Sequence, residues 1–246
     1  METFWFFVIV GFLAQVVDGA LGMAYGTISN ALLLTAGVAP AISSASVHFA
    51  EIFTTLISGY SHLKFGNVDK SLFKKLVIPG IMGGITGAYL LSNIDGSKIE
   101  PFIGIYLLIM GLRILFKVFT INKPSKEKIT KRRHYSLLGL VGGFFDAVGG
   151  GGWGPIVTST LVSDGKHPGK TVGSVNAAEF FVTVSEVAAF ITLLAQFNWQ
   201  VIIGLIVGGV LAAPMAAFMT KKIPPKVLMV SLGCIITILS IRMIVL

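Results

Sequence analysis

The 246 residues are 54% hydrophobic and 12% charged, with a mean hydropathy of +0.86, about half the charge of an ordinary soluble domain. Apolar stretches of roughly 20 residues recur along the whole chain, which makes the bilayer its expected solvent and argues against a soluble enzyme or binding module. The net charge of +8 does not indicate a nucleic-acid partner, because Lys123, Lys126, Lys128, Lys131, Arg132 and Arg133 crowd one short loop, as the positive-inside rule predicts for a cytoplasmic loop.

In chain order, no basic stretch precedes the first apolar run and no small-residue cleavage site closes it, so a cleaved signal is not expected. Residues 3–37 read as two arms around "VDGALGMAYG" (17–26). Apolar runs at about 41–62, 72–92 and 98–119 read as three membrane crossings. After the basic loop, residues 135–164 read as two further arms around "FDAVGGGGWG" (145–154), and runs at about 170–195, 199–220 and 224–246 as three more crossings. Each leading arm, at roughly 15 residues, reaches only about 22 Å, short of the ~30 Å hydrocarbon core. The leading pairs are therefore read as re-entrant or broken-helix hairpins, with two short full crossings as the alternative. The lone cysteine, Cys234, lies in the last run and reads as packing filler.

The chain also repeats itself. Asp18 and Asp146, Gly26 and Gly154, Ser46 and Ser174, and Glu51 and Glu179 all share one offset, 128 positions, and self-similarity at a fixed offset marks duplicated structure. The predicted halves are 1–122 and 134–246, joined by a basic linker at 123–133. Loop charges give their orientation. Lys64, Lys70, Lys74 and Lys75 place the 63–75 loop in the cytoplasm, while its counterpart "QFNWQ" (196–200) is uncharged. Asp95 and Glu100 place the 92–100 loop outside, while its counterpart "TKKIPPK" (220–226) is basic. Equivalent loops thus face opposite sides. The expected fold is an all-α polytopic membrane protein of two inverted repeats, each a broken hairpin followed by three transmembrane helices. Both termini are expected outside and loop 120–134 in the cytoplasm of a multi-pass cell (inner or plasma) membrane protein.

Candidate site residues follow from what is costly in lipid. Backbone at membrane depth must be satisfied or line a wet cavity. Gly149, Gly150, Gly151 and Gly152 bare their N–H groups, and Gly154–Pro155 reads as a helix start. The positive end of that helix then faces the break, an anion-binding arrangement that inverted-repeat transporters use at the midplane. Trp153 and its counterpart Tyr25 are candidates to wall the cavity. Gly80, Gly83, Gly84 and Gly87, and Gly204, Gly208 and Gly209, read instead as helix-packing positions. Asp18, Glu51, Asp146, Glu179 and Glu186 are intramembrane acids and hence functional candidates. Asp18 and Asp146 can brace the tips or carry a proton. His48 lies one helical turn from Glu51 and can relay a proton or be a satisfied polar group, and Asn176 stands at its place in the second half. Thr27, Ser29, Asn30, Thr158, Ser159 and Thr160 can line the path or bond back to carbonyls. Arg113 and Arg242 read as snorkelling residues.

These features resemble the sulfite exporter TauE/SafE family of bacterial and archaeal membrane permeases. The likeness rests on the duplicated motif "VVDGALGMAYG" and "FFDAVGGGGWGP", on "SVHFAE" and "SVNAAE", and on a length near 250 residues with a central basic loop. It implies movement of small sulfur-containing anions such as sulfite or sulfonates. It points to Gly149–Trp153 and Ser174–Glu179, with Asn176 between them, and to Gly22, Tyr25, Ser46 and His48–Glu51 in the first half.

The leading expectation is a secondary transporter of a small anion, with proton coupling open. The alternative is a cation or metal-ion transporter that uses the carboxylates. No Walker loop, H-E-x-x-H or G-x-S-x-G is present, so neither ATP use nor catalysis is expected. No cofactor is expected, and no metal site is visible from ligand spacing. The expected partners are a small anionic substrate and the lipid bilayer, with a homo-oligomer allowed and no nucleic acid.

Overall fold

A computed structural model describes residues 2–21, 23, 25–118, 134–164, 166, 168–219 and 225–245. Gly22 and the basic loop up to 133 lie outside the described residues, as do 220–224. Helices α1 (Glu2–Leu21), α2 (Tyr25–Thr35), α3 (Pro40–Lys64), α4 (Lys70–Asn93) and α5 (Gly96–Val118) make up the first half. In the second, α6 (Tyr135–Gly149) precedes a π-helical turn (Gly154–Thr158) that continues into α7 (Ser159–Ser163). Helices α8 (Pro168–Leu193), α9 (Trp199–Met219) and α10 (Pro225–Val245) follow. All described regular structure is helical.

The breaks have local causes. Gly150 ends α6 in the left-handed conformation at φ 61, which glycine adopts without a Cβ penalty. Pro155 enters the next helix at its first turn, where its missing N–H costs nothing. Asp69 caps α4 by accepting from the N–H groups of Ser71 (2.9 Å) and Leu72 (3.2 Å).

The leading arms are less equal than their composition implies. α1 runs 20 residues, whereas α2 has 11 and reaches about 16 Å. α6 has 15 residues. The long first arm forms because nothing between Glu2 and Leu21 breaks a helix, and Asp18 sits inside it rather than ending it.

By length and composition, three described helices can cross a membrane: Lys70–Asn93, Gly96–Phe116 and Gly169–Leu193. α3 is as long, at 25 residues, but carries buried polar groups at Ser43, Ser44, Ser46, His48, Glu51 and Thr55. The outward faces are the reverse. Ile78, Met82, Ile85 and Tyr89 of α4, Ile105 and Ile109 of α5, and Ile238 and Ile241 of α10 are all exposed. An apolar exterior around a polar interior is the distribution expected where lipid replaces water.

Helix packing explains the glycine runs. α4 packs on α6, α1 on α9, α5 on α10, and α8 on both α3 and α4. Moving α4 forward and α6 back by 128 residues converts the α4–α6 contact into the α9–α1 contact. A Cβ added at Gly83 would lie 2.0 Å from the Leu140 carbonyl oxygen, and one at Gly208 would lie 2.0 Å from that of Val8. These glycines let backbones meet, as small residues do between helices in lipid.

Two sequence readings change here. Cys234 is exposed, so it faces outward and fills no interior gap. Arg113 does not simply extend to the interface: its guanidinium donates to Thr160 Oγ1 at 2.8 Å, tying α5 to α7, because the short second arm ends beside it.

Candidate functional site

The two glycine tips meet. Thr27 Oγ1 donates to the Gly151 carbonyl at 2.7 Å, and Asn30 Nδ2 donates to that of Gly149 at 2.6 Å. A Cβ on Gly26 would sit 2.6 Å from the Gly150 carbonyl oxygen, so only glycine allows this approach. Tyr106 closes the other side, its hydroxyl 3.4 Å from the Gly151 oxygen and its ring stacked on Phe145.

Each tip is braced by its own aspartate. Asp146 Oδ1 accepts the N–H groups of Gly152 (2.6 Å) and Trp153 (2.9 Å). Asp18 Oδ1 accepts that of Tyr25 at 3.2 Å, the same bond 128 residues earlier. The backbone donors that sequence reasoning leaves open for an anion at Gly152 and Trp153 are thus taken by an internal carboxylate. A charged acceptor within reach of bare N–H groups forms strong bonds, and Asp146 is that acceptor.

A cavity of about 290 Å³ adjoins the tips. The first half lines it with Asp18, Tyr25, Gly26, Thr27 and Glu51, and the second with Asp146, Gly151, Gly154, Pro155, Asn176 and Glu179. Four carboxylic acids thus converge, two from each half. The first residues of α2 and of the π turn also open onto the cavity, so the positive ends of both second arms face it.

Not every candidate residue reaches the cavity. Gly149, Gly150 and Gly152 are buried behind it in the tip. Trp153 does not wall it: the ring is fully buried, its Nε1–H donates to the Val175 carbonyl at 3.1 Å, and it packs against Gly80. Tyr25 does line the cavity, but its hydroxyl donates to the Leu205 carbonyl at 3.1 Å. Ser46 bonds back to Ile42 within its helix. Ser174 bonds back to Lys170 and accepts the Asp69 N–H at 2.7 Å. Ser46 serves its own helix, and Ser174 also ties α8 to the cap of α4.

His48 is fully buried behind the wall. Its Nδ1 lies 2.9 Å from Glu51 Oε2, and its Nε2 lies 3.2 Å from the Asp146 carbonyl oxygen and 3.4 Å from Glu186 Oε2. His48, Asp146 and Glu186 are the described side chains grouped closely enough to hold a metal ion. They come from three helices, which is why ligand spacing along the sequence did not show them.

Sequence reasoning missed the polar wall of α3. Thr54, Thr55, Ser58 and His62 line the cavity below Glu51. From Glu51 their spacings are three, four, seven and eleven residues, one helical face. That polar stripe is the signal that would have found them.

A family model described as Sulfite exporter TauE/SafE matches residues 7–243. The chain belongs to the TauE/SafE family. It is 44% identical over 242 residues to the probable membrane transporter protein YtnM of Bacillus subtilis (strain 168), covering 96% of this chain and 81% of that protein. It is 20% identical to the probable membrane transporter protein YunE of the same organism, covering 98% of this chain and 97% of that one. No solved structure matches the chain significantly. Family membership and the YtnM relative make this TauE/SafE chain a membrane transporter, and its apolar helices agree with a membrane location.

Proposed function

We propose that the chain is a secondary transporter of a small sulfur-containing anion, an oxyanion or organosulfonate, coupled to protons. It has two inverted repeats, residues 1–122 and 134–246, each a broken hairpin plus three transmembrane helices. These rock against one another around the paired tips, giving alternating access. The basic linker lies in the cytoplasm and both termini outside, in the cell membrane. The observation that carries this reading is the cavity at the junction of the tips, where the positive ends of both second arms face four carboxylic acids.

Charge then argues for coupling. Two like charges 4 Å apart repel by about 4 kcal/mol at an effective dielectric of 20. An anion entering beside ionised Asp18, Glu51, Asp146 and Glu179 would meet several such terms, so its entry requires protons to enter with it. Glu179 is the best-placed carrier. It is half-buried on the cavity wall, whereas Glu51 is held by His48 and Asp146 by its tip.

Proteoliposomes loaded with labelled sulfite, thiosulfate or a short sulfonate test this. Anion flux driven by a pH gradient is expected, and Glu179→Gln should flatten its pH dependence. Wild-type pH dependence in the Gln variant would remove Glu179 from the role. A second reading, cation transport, draws on the same four acids and on the absence of lysine and arginine from the cavity lining among the described residues. Cation flux without anion flux would establish it over the first.

A further inference from the structure

Against the cavity wall lies a cluster that the transport reading uses only in part: Asp146 lines the cavity, whereas His48 and Glu186 do not. His48 of α3, Asp146 of α6 and Glu186 of α8 each offer one donor atom within 4.8 Å of the other two. His48 and Glu186 are fully buried and Asp146 is 2% exposed. Neither oxygen of Glu186 has a hydrogen-bond partner, nor does Asp146 Oδ2 or Thr183 Oγ1, which lies one turn before Glu186 on α8. Gly84 makes room for the acid: a Cβ there would lie 2.5 Å from Glu186 Oε1.

The repeat supplies an internal comparison. Asn176 and Ser58 occupy the positions equivalent to His48 and Glu186, and Asn176 Nδ2 donates to Ser58 Oγ at 2.7 Å. A neutral hydrogen bond therefore suffices to join α3 and α8 there. The equivalent pair, His48 and Glu186, buries an imidazole and a carboxyl group instead. Burying charge costs several kcal/mol per ion unless it is compensated, so packing alone does not account for the substitution.

The imidazole geometry indicates what compensates it. With its Nδ1–H given to Glu51, His48 turns Nε2 toward the Asp146 carbonyl oxygen at 3.2 Å and Glu186 Oε2 at 3.4 Å, an arrangement met by a proton on Nε2 or by a metal ion that replaces it. Lone pair against oxygen is repulsive unless something positive stands between them. A carboxylate on one ring nitrogen and a cation on the other is the usual surrounding of a metal-binding histidine.

We propose that His48 Nε2, the Glu186 carboxylate and Asp146 Oδ2 bind one divalent first-row transition ion, of the Zn²⁺ or Mn²⁺ class, with Glu51 orienting the imidazole. Nitrogen plus carboxylate suits such ions, whereas Mg²⁺ and Ca²⁺ prefer oxygen alone. Ligand atoms about 2.1 Å from a shared ion lie at most about 4.2 Å apart, so the cluster need close only slightly. The ion would pin α3 and α8 to the end of α6, directly behind the second tip.

The full chain, purified in detergent and treated with EDTA, is titrated with Co²⁺ and followed by elemental analysis and visible absorption. One stoichiometric Co²⁺, displaced by Zn²⁺ and bound equally by Glu179→Gln, is expected. Glu51→Gln should weaken it by about 10–100-fold, as loss of a carboxylate behind a metal-binding histidine does. The double variant His48→Asn, Glu186→Ser copies the neutral Asn176–Ser58 pair, so it should remain monodisperse and lose the ion. No stoichiometric Co²⁺, Zn²⁺ or Mn²⁺ in the wild type would overturn the proposal and leave a proton on Nε2. So would undiminished binding in the double variant. Binding is read without transport, so its failure leaves the cavity's function untouched.

Discussion

Gly208→Leu is expected to leave almost no folded protein, while Gly209→Ala beside it is expected to be tolerated. A Cβ at Gly208 would lie 2.0 Å from the Val8 carbonyl oxygen and 2.7 Å from the Phe12 N. Both are backbone atoms of α1, so no side chain can swing aside. The same atom at Gly209 would find its nearest neighbour, the Tyr25 hydroxyl, at 3.4 Å, an ordinary contact. Overpacking an adaptable core costs about 1–3 kcal/mol. Here the whole of α1 must retreat from α9, and van der Waals contact is a main force holding helices together in lipid. The cost should exceed that range. Size-exclusion profiles of the two variants fused to a fluorescent protein read the result directly. A sharp peak from Gly208→Leu at the wild-type position would mean that α1 and α9 do not pack as described. Gly83→Leu should fail like Gly208→Leu, because a Cβ at Gly83 meets the Leu140 carbonyl oxygen at the same 2.0 Å.

The contrast between these neighbouring glycines also marks what the sequence can and cannot disclose. Small-residue spacing identifies a packing run, but not which member touches backbone, since that depends on the rotation of α1 against α9. The long helices are readable to within a few residues, because apolar length and loop chemistry are local properties. The aspartate before each glycine tip is readable too, since the offset repeats it. The direction of Trp153 is not. It shares Tyr25's position in the repeat, yet Tyr25 lines the cavity and Trp153 packs on Gly80. Glu186 illustrates the harder limit. The equivalent position in the first half is Ser58, so the repeat gives this acid no prominence. Its company, His48 and Asp146, is set by how α3, α6 and α8 cross.

Asp146→Ala should destabilise the protein far more than Asp18→Ala, although the two residues hold equivalent places. Asp146 Oδ1 accepts two buried N–H groups, those of Gly152 and Trp153. Its removal strands both, at about 1–3 kcal/mol for each buried donor left unsatisfied. Asp18 is only half-buried and meets the Tyr25 N–H in a partly buried setting, where water can replace part of what is lost, so a smaller loss is expected. Asp146→Asn separates acceptor from charge. The amide oxygen can still take both N–H groups, so stability should fall by less than in the Ala variant. Thermal unfolding of the four proteins in one detergent checks the order: wild type, then Asp18→Ala and Asp146→Asn, with Asp146→Ala lowest. Equal losses from the two Ala substitutions would contradict the asymmetry of the tips. An Asn variant as unstable as Ala would mean that the carboxylate's charge, rather than its geometry as an acceptor, holds the second tip together. The glycine-rich tip therefore depends on its aspartate more than its glycine-poorer counterpart does. Gly150 and Gly151 supply no side chain to hold the turn at φ 61 and φ 148, and the carboxylate does that work from outside it.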